Sequence, residues 1–311
     1  MPVHLTPLTR RQCLSTSLAV GAGVLTLRPA SLAGAERAKV DPDCFALVAD
    51  THIPPTMHAK ARGTDMTANL KAVVAELAAM KPCPAGVLVA GDCALRAGHA
   101  DAYTNLARLL APLAEAKLPV HLAAGNHDHR ERMYTQFKAA QPAAQPVQGK
   151  RVTIVESAKA NWFLLDSLWK TNVVTGVLGK AQLAWLAEAL DSRKDKPAIV
   201  VAHHNPQPTL PRAMRVTGLK ETAALFEIMA ARAHVKAYVY GHTHVWRLST
   251  WKGVHLINVP PSAYVFSRGR PNGWVLARLR NDGVTLWPRC LDAAHAVHGK
   301  EHKLTWRPDK A

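Results

Sequence analysis

The chain has 311 residues, room for one large α/β domain or two small ones, and is 48% hydrophobic and 6% aromatic, an ordinary balance for a folded enzyme. Its formal charge of +17 favours anionic substrates or surfaces, but the basic residues are scattered with no run of five, which argues against a dedicated nucleic-acid patch. No internal apolar run approaches the roughly 20 residues needed to span a bilayer, so no transmembrane span is expected in the mature chain.

The N-terminus reads as a targeting segment. Thr9-Arg10-Arg11-Gln12-Cys13-Leu14 resembles a twin-arginine export motif, with Cys13 where Phe is usual. The apolar stretch 14–27 follows, and Ala33-Gly34-Ala35 is an A-x-A cleavage candidate. Residues 1–35 are therefore set apart as a signal peptide, 36–311 as one domain, and the expected location is periplasmic or secreted. Removing the segment leaves 36 basic against 22 acidic residues. Cys44, Cys83, Cys93 and Cys290 remain; none forms a C-x-x-C pair, and no disulfide is assigned.

From Phe45 onward the pattern alternates. Phe45–Ala49 is a short apolar run and predicts a strand. Asp65–Met80 carries Leu70, Val73, Val74 and Leu77 at helical spacing. Val87–Ala90 predicts a strand, Ala100–Lys117 a helix, and Val120–Ala123 a strand. This βαβαβ order implies a parallel core. Gln141–Gln148 reads as a surface loop. Val152–Val155 and Trp162–Leu165 follow as a possible antiparallel pair, then a helix over Lys180–Arg193 and a strand over Ala198–Ala202. Pro206, Pro208 and Pro211 keep the next segment irregular. A helix over Lys220–Arg232 and a strand over Val235–Tyr240 come next, and Leu248–Leu286 reads as β.

Metal-ligand residues cluster at the ends of the predicted strands. They are Asp50 and His52 in A-D-T-H, Asp92 in G-D, Asn126 in G-N-H-D, a histidine of A-H-H-N-P, and His242 and His244 in G-H-T-H. Strand ends delivering Asp, His and Asn to one rim can build a two-metal centre in an α/β fold. These donors are oxygen and nitrogen, which suit Mn, Fe, Zn or Co. In Asp50-Thr51-His52 the i, i+2 spacing places both ligands on one side of an extended strand end, and the same spacing would aim His242 and His244 one way. In A-H-H-N-P the choice lies between His203 and His204. The apolar strand stops directly before His203, which makes it the expected ligand.

In this order the motifs resemble the calcineurin-like metallophosphoesterases, with their D-x-H, G-D, G-N-H-D/E, H and G-H-x-H blocks. The resemblance runs from Asp50 to His244 and implies two facing mixed β-sheets flanked by helices, a four-layer sandwich. It further implies that Asp50, His52 and His244 bind one metal, that Asn126, His203 and His242 bind the other, and that Asp92 and a hydroxide bridge them. A turn would then send His242 and His244 to different metals. His127 would be the general acid that protonates the leaving oxygen, with Asp128 orienting and charging its ring.

Within the family, purple acid phosphatases carry Tyr three residues after the bridging Asp, where this chain has Leu95. Protein Ser/Thr phosphatases carry G-D-x-V-D-R-G, against G-D-C-A-L-R-A-G here. Secreted 5′-nucleotidases add a large domain, whereas 67 residues follow His244. The pattern looks closest to the small phosphodiesterases that include class III cyclic-nucleotide phosphodiesterases. The expected substrate is a small anionic phosphodiester, with no stable nucleic-acid partner. The alternatives are an exported nuclease or phosphomonoesterase on the same site, or an inactive metal-stabilised anion-binding protein.

Other residues carry weaker expectations. His121, His234 and His255 read as structural, and His295, His298 and His302 as a solvated tail. His58, His99 and His129 lie in loops near the motifs. Arg96 and Arg130 are candidate phosphate clamps. The eight Trp residues are too dispersed for a stacking platform and read as packing.

Overall fold

A computed structural model describes residues 3–5, 39–137, 145–207 and 216–309. The twin-arginine-like motif, the apolar stretch after it and parts of the two predicted loops at 141–148 and 206–211 lie outside the described residues.

In chain order the elements are β1 (Val3–Leu5), β2 (Val40–Val48), β3 (Lys60–Ala61), β4 (Thr64–Asp65), α1 (Met66–Ala79), β5 (Cys83–Ala90), α2 (Ala100–Glu115), β6 (Val120–Ala123) and α3 (Arg130–Gln136). They continue with β7 (Thr153–Glu156), β8 (Asn161–Leu164), α4 (Lys180–Asp191), β9 (Ala198–Val201), α5 (Thr222–Ala230), β10 (Val235–Tyr240), β11 (Arg247–Trp251), β12 (Val254–Asn258), β13 (Gly273–Leu279), β14 (Gly283–Cys290) and β15 (His302–Thr305). The strands form a seven-stranded sheet, β1-β6-β5-β2-β13-β14-β15, and a six-stranded sheet, β11-β12-β10-β9-β8-β7. Both are mixed. β2, β5 and β6 run parallel in the first, and β8, β9, β10 and β12 in the second.

Strand alternation builds three apolar layers. In β5, Val87 and Val89 face α1 and α2, meeting Val73, Leu77, Leu106 and Leu110. Leu88 and Ala90 point the other way, into a core with Phe45, Leu47, Trp162, Leu164, Ile199 and Val201 between the sheets. The outer face of the second sheet, with Phe163, Val200 and Tyr238, packs on Leu186, Leu190, Leu225 and Phe226 of α4 and α5. The result is the expected helix–sheet–sheet–helix sandwich. Central strands buried on both faces must be apolar throughout, which is why these runs read so clearly.

Helix ends follow local chemistry. Asp65 sits at the α1 N-cap, where its Oδ1 accepts from Ala68 N at 3.0 Å. The hairpin of β7 and β8 is antiparallel, as its sequence suggested.

The C-terminal tail differs from expectation. It folds back, and β15 pairs antiparallel with β14, so His302 stands in a strand. His298 Nδ1 lies 3.1 Å from the backbone N of Cys290, and His295 Nε2 lies 3.1 Å from Gly269 O. The sequence hid this because an alternation as short as His302–Thr305 is indistinguishable from a polar coil.

At the other end, the backbone of β1 pairs with β6 through Val3↔Leu122 and Leu5↔Val120. Three residues of the segment read as a leader thus lie along the outer edge of the first sheet.

Candidate metal centre

Five strands of the two sheets end at one rim. Just beyond their last residues stand Asp50 after β2, Asp92 after β5, Asn126 after β6, His203 after β9, and His242 and His244 after β10. The structure therefore brings together all seven sequence-predicted ligands, and it separates them into two overlapping groups.

In the first group, His52 Nε2 lies 3.1 Å from His244 Nε2, and His244 Nε2 lies 3.5 Å from Asp50 Oδ1. In the second, His203 Nε2 lies 3.1 Å from Asn126 Oδ1 and 3.1 Å from His242 Nδ1. Asp92 stands between the groups, with Oδ2 3.3 Å from His203 Nε2 and 3.7 Å from His52 Nε2.

These distances test whether a metal fits. An ion holding N and O donors at about 2.0–2.2 Å sets neighbouring donors roughly 3.0–3.6 Å apart. The outer ring nitrogens give a second test. His203 Nδ1 is 2.9 Å from Ala90 O, His242 Nε2 is 2.7 Å from Thr217 O, and His244 Nδ1 is 2.6 Å from Tyr264 O. Each carbonyl can only accept, so each outer nitrogen carries the proton and the inner one presents a bare lone pair. Lone pairs facing each other at 3.1 Å repel unless a cation lies between them. The donor set fits two divalent ions.

In the protein's own charges a proton can stand on His203 Nε2 in place of an ion, drawn by the same carboxylates. Burial opposes charge on His203, yet Asp92 and then Asp50 raise it to about 9. Burial, followed by repulsion from His203, pushes His242 down to about 3. The two buried carboxylates thus draw positive charge to the point where the ligand atoms meet.

The local backbone departs from the extended strand end expected of D-x-H. Asp50 and His52 have φ of 51° and 46°, and both lie beyond the last residue of β2. Asp92, His242 and His244 are also left-handed, at 50°, 69° and 54°. Their i, i+2 pairs therefore leave tight turns and do not alternate along a strand. The G-H-T-H turn sends His242 to the His203 group and His244 to the His52 group. Left-handed backbone costs such residues on the order of 1–2 kcal/mol each, and the turns are held by tertiary hydrogen bonds. Asp50 N and His52 N donate to Gly91 O and Asp92 O at 3.0 and 2.9 Å.

Asp128 does not orient the His127 ring as expected. Its oxygens accept from Cys93 N, Ala94 N and Gly125 N at 3.1, 2.9 and 2.8 Å, and from Tyr103 Oη at 3.1 Å. It is fully buried and fastens the G-D turn to the G-N-H-D turn. Burial and then the Asp92 charge raise its carboxyl to about 6, against the pull of those N–H donors. His127 instead places Nδ1 3.1 Å from Asn172 Oδ1 and 3.2 Å from Arg96 O. Both oxygens accept, so Nδ1 bears a proton and Nε2 is left as the basic nitrogen. No motif marked Asn172. It lies between β8 and α4 and reaches the site because its N donates to Asn126 O at 2.7 Å.

Among the remaining candidates, His204 is buried, with Nδ1 2.7 Å from Ser167 Oγ, while His203 is the member of the pair that touches Asp92 and Asn126. Arg130 is not a free phosphate clamp; it forms a two-point pair with Asp166 at 2.7 and 3.0 Å. His58 binds Asp65, and His99 and His129 sit at the N-caps of α2 and α3. His234 and His255 bond backbone carbonyls, as structural histidines do. All four described cysteines are buried and free. Above the ligands opens a cavity of about 320 Å³, walled by His127, Val174, Asn205, Thr217, Tyr264 and Phe266.

Two glycines make this packing possible. A Cβ on Gly91, at φ 83°, would lie 2.6 Å from His203 Cβ, and one on Gly125 would lie 2.2 Å from Asp92 Oδ1. Gly125→Ala must therefore displace the shared carboxylate. The expected outcome is loss of metal from both positions with a stability cost of about 1–3 kcal/mol, read by metal analysis and thermal unfolding. Full metal content in this variant would count against the shared position of Asp92.

The family model for calcineurin-like phosphoesterases matches residues 45–246. The chain is 30% identical to the 3′,5′-cyclic adenosine monophosphate phosphodiesterase CpdA of Pseudomonas aeruginosa, over 76% of this chain and 85% of that protein. It is 32% identical to a probable cyclic nucleotide phosphodiesterase of Rhodopseudomonas palustris, over 68% and 74%. It is also 25% identical to the glycerophosphodiester phosphodiesterase GpdQ of Enterobacter lignolyticus, over 71% and 77%. Among solved structures, a dimetal phosphatase from Danio rerio shares the fold, with a TM-score of 0.64 at 15% identity, over 86% of this chain and all of that one. The motifs, the sandwich and the family match agree: this chain belongs to the calcineurin-like phosphoesterase family of metal-dependent phosphoester hydrolases.

Proposed function

We propose that the protein hydrolyses small anionic phosphodiesters, cyclic nucleotides among them, at a two-metal centre. The observation that carries this reading is the convergence of Asp50, His52, Asp92, Asn126, His203, His242 and His244, of which His52, Asp92, Asn126, His242 and His244 line an open cavity that His127 walls and Asp50 and His203 are fully buried. The relatives named for cyclic nucleotide and glycerophosphodiester hydrolysis support a diester over a monoester. Mn, Fe, Zn or Co fits the donors; Asp50, His52 and His244 would hold one ion, Asn126, His203 and His242 the other, with Asp92 shared. When bound, the ions would supply Lewis acidity toward the phosphoryl oxygens and ionise water near neutral pH.

The chain's own residues provide the rest. With Nδ1–H engaged, Nε2 is the nitrogen that takes up the ring's second proton, and in that doubly protonated form His127 donates it from Nε2 to the leaving oxygen. Asn172 Oδ1 and the Arg96 carbonyl keep Nδ1–H engaged and so keep the ring's other nitrogen turned to that task. Asp128 acts at a distance, by holding the two turns that carry Asp92 and Asn126. The positive surplus of the chain draws anionic esters inward. A cavity of about 320 Å³ suits a small ester. A nuclease reading predicts binding that weakens steeply with salt, whereas turnover of a small diester should respond weakly.

The decisive assay sets the metal-analysed protein against phosphomonoesters, alkyl diesters and cyclic nucleotides. Asp92→Asn should lower the content of both ions and abolish turnover of diesters; full metal and activity in this variant would sink the shared-ligand assignment. Turnover of monoesters alone would overturn the diester reading.

For His127 the leaving group decides. His127→Ala should lose roughly 10²- to 10⁴-fold on alkyl diesters, whose alkoxide needs a proton, and much less on nitrophenyl diesters. Asn172→Ala should show the same bias at smaller size. Equal losses on both substrates would assign His127 to phosphoryl binding instead.

We further propose export through the Arg10-Arg11 segment, on the order of its basic, apolar and small-residue parts. The N-terminal sequence of the exported protein should begin beyond Ala35, and Arg10→Lys/Arg11→Lys should keep the chain in the cytoplasm. Cytoplasmic accumulation of the uncleaved wild-type chain would refute it.

A further inference from the structure

One wall of the cavity has a composition that the metal chemistry does not explain. Phe266 is 54% exposed, one of three large hydrophobic side chains so exposed among the described residues. It is held in place there, because its ring stacks on His244 at 4.4 Å and 29°, and Tyr264 stacks on His52 at 5.1 Å and 24°. The segment beneath is tied down. Ser262 N and Ala263 N donate to Ala49 O and Asp50 O at 2.9 and 3.1 Å, and the Asn69 side-chain amide donates to Ser262 O and Ala263 O at 3.1 Å each. A rigid exposed aromatic ring at a cavity mouth is a surface prepared for a ligand.

The second component is Arg62. It stands at the tip of the β3–β4 hairpin, in a left-handed turn with φ 52°. Its guanidinium lies 4.8 Å from the Phe266 ring centre and 5.7 Å from that of Tyr264. No carboxylate pairs with it among the described residues. The wall is thus aromatic and cationic at once. It suits a planar ring, which stacks on the aromatic or guanidinium face, and it repels a cationic head group such as choline.

His127 and this wall both flank His52: the His127 ring lies 5.3 Å from His52, on the ring that Tyr264 covers. An ester whose leaving oxygen meets His127 therefore extends its organic part toward Tyr264 and Phe266. We infer that Phe266, Tyr264 and Arg62 form a stacking subsite for the nucleobase of a nucleotide ester, which selects nucleotide diesters over those with cationic alcohols. This inference rests on the proposed phosphodiesterase reading for the orientation of the ester, but its binding test does not require turnover.

The test compares equilibrium binding of AMP and inorganic phosphate to the metal-loaded protein, with metal content measured for every variant. Wild type should bind AMP at least about ten-fold more tightly than phosphate, as expected for one stacked base. Phe266→Ala should remove most of that preference while leaving phosphate affinity unchanged, and Phe266→Trp should keep it. Arg62→Gln should narrow it. In turnover, Phe266→Ala should raise the KM for 3′,5′-cyclic AMP by a similar factor, and by more than it changes the KM for glycerophosphocholine. Equal affinity of wild type for AMP and phosphate, or an unchanged AMP preference in Phe266→Ala, overturns the subsite. An AMP preference that depends on Phe266 in a protein that turns over no diester supports the subsite and overturns the phosphodiesterase reading instead.

Discussion

A carboxylate almost sealed from water joins the two halves of this molecule. Asp92 is 2% exposed, and its Oδ2 faces His203 of the second sheet and His52 of the first. Its Oδ1 accepts from His127 N at 2.8 Å. A buried carboxylate surrounded by imidazole lone pairs is tolerable only with positive charge beside it. That requirement explains why ligands from both sheets close on one point. The site is thus where the two sheets are electrostatically joined, and its chemistry and its stability have the same source.

Geometry makes that convergence demanding. Five of the seven ligand residues occupy left-handed backbone, where an ordinary side chain is disfavoured. The turns persist because each is bound to its neighbour: Asp50 to Gly91, His52 to Asp92, Gly241 N to His203 O at 3.1 Å. Asp128 adds three backbone N–H contacts that lock the G-D turn to the G-N-H-D turn. The conformational cost is met by buried hydrogen bonds and apolar layers on either side. Glycines precede several ligands for a simpler reason: a side chain from a distant turn already fills the space a Cβ would need, His203 at Gly91, Asp92 at Gly125 and Asp50 at Gly241.

The cavity above is not symmetric. One flank carries Asn205, Thr217 and His242, which are polar. The other carries His127 and the aromatic pair Tyr264 and Phe266, with Arg62 outside it. The loop with Asn172 approaches the His127 flank and is itself braced. Lys150 Nζ donates to three carbonyls, of Asp166, Leu168 and Val177, and Arg130 grips Asp166. Arg130, which reads as an anion clamp from sequence position, thus supports the residues that face the cavity.

The sequence by itself determined the parts governed by short-range pattern. Apolar runs such as Val87–Ala90 and Val235–Tyr240 are legible because central strands are buried on both faces. The ligands are legible because each follows such a run within a few residues, and because their spacing matches a known family. Tertiary structure alone decided what depends on distant segments meeting. Asp128 turned from a partner of His127 into a staple because the Cys93 and Ala94 amides, some 35 residues away in sequence, reach it first. Asn172 and Arg62 carry no local signature, since what matters is which ring each one meets in space. The strand at His302–Thr305 was hidden for the same reason: its pairing partner, β14, supplies the order that four half-exposed residues cannot encode alone.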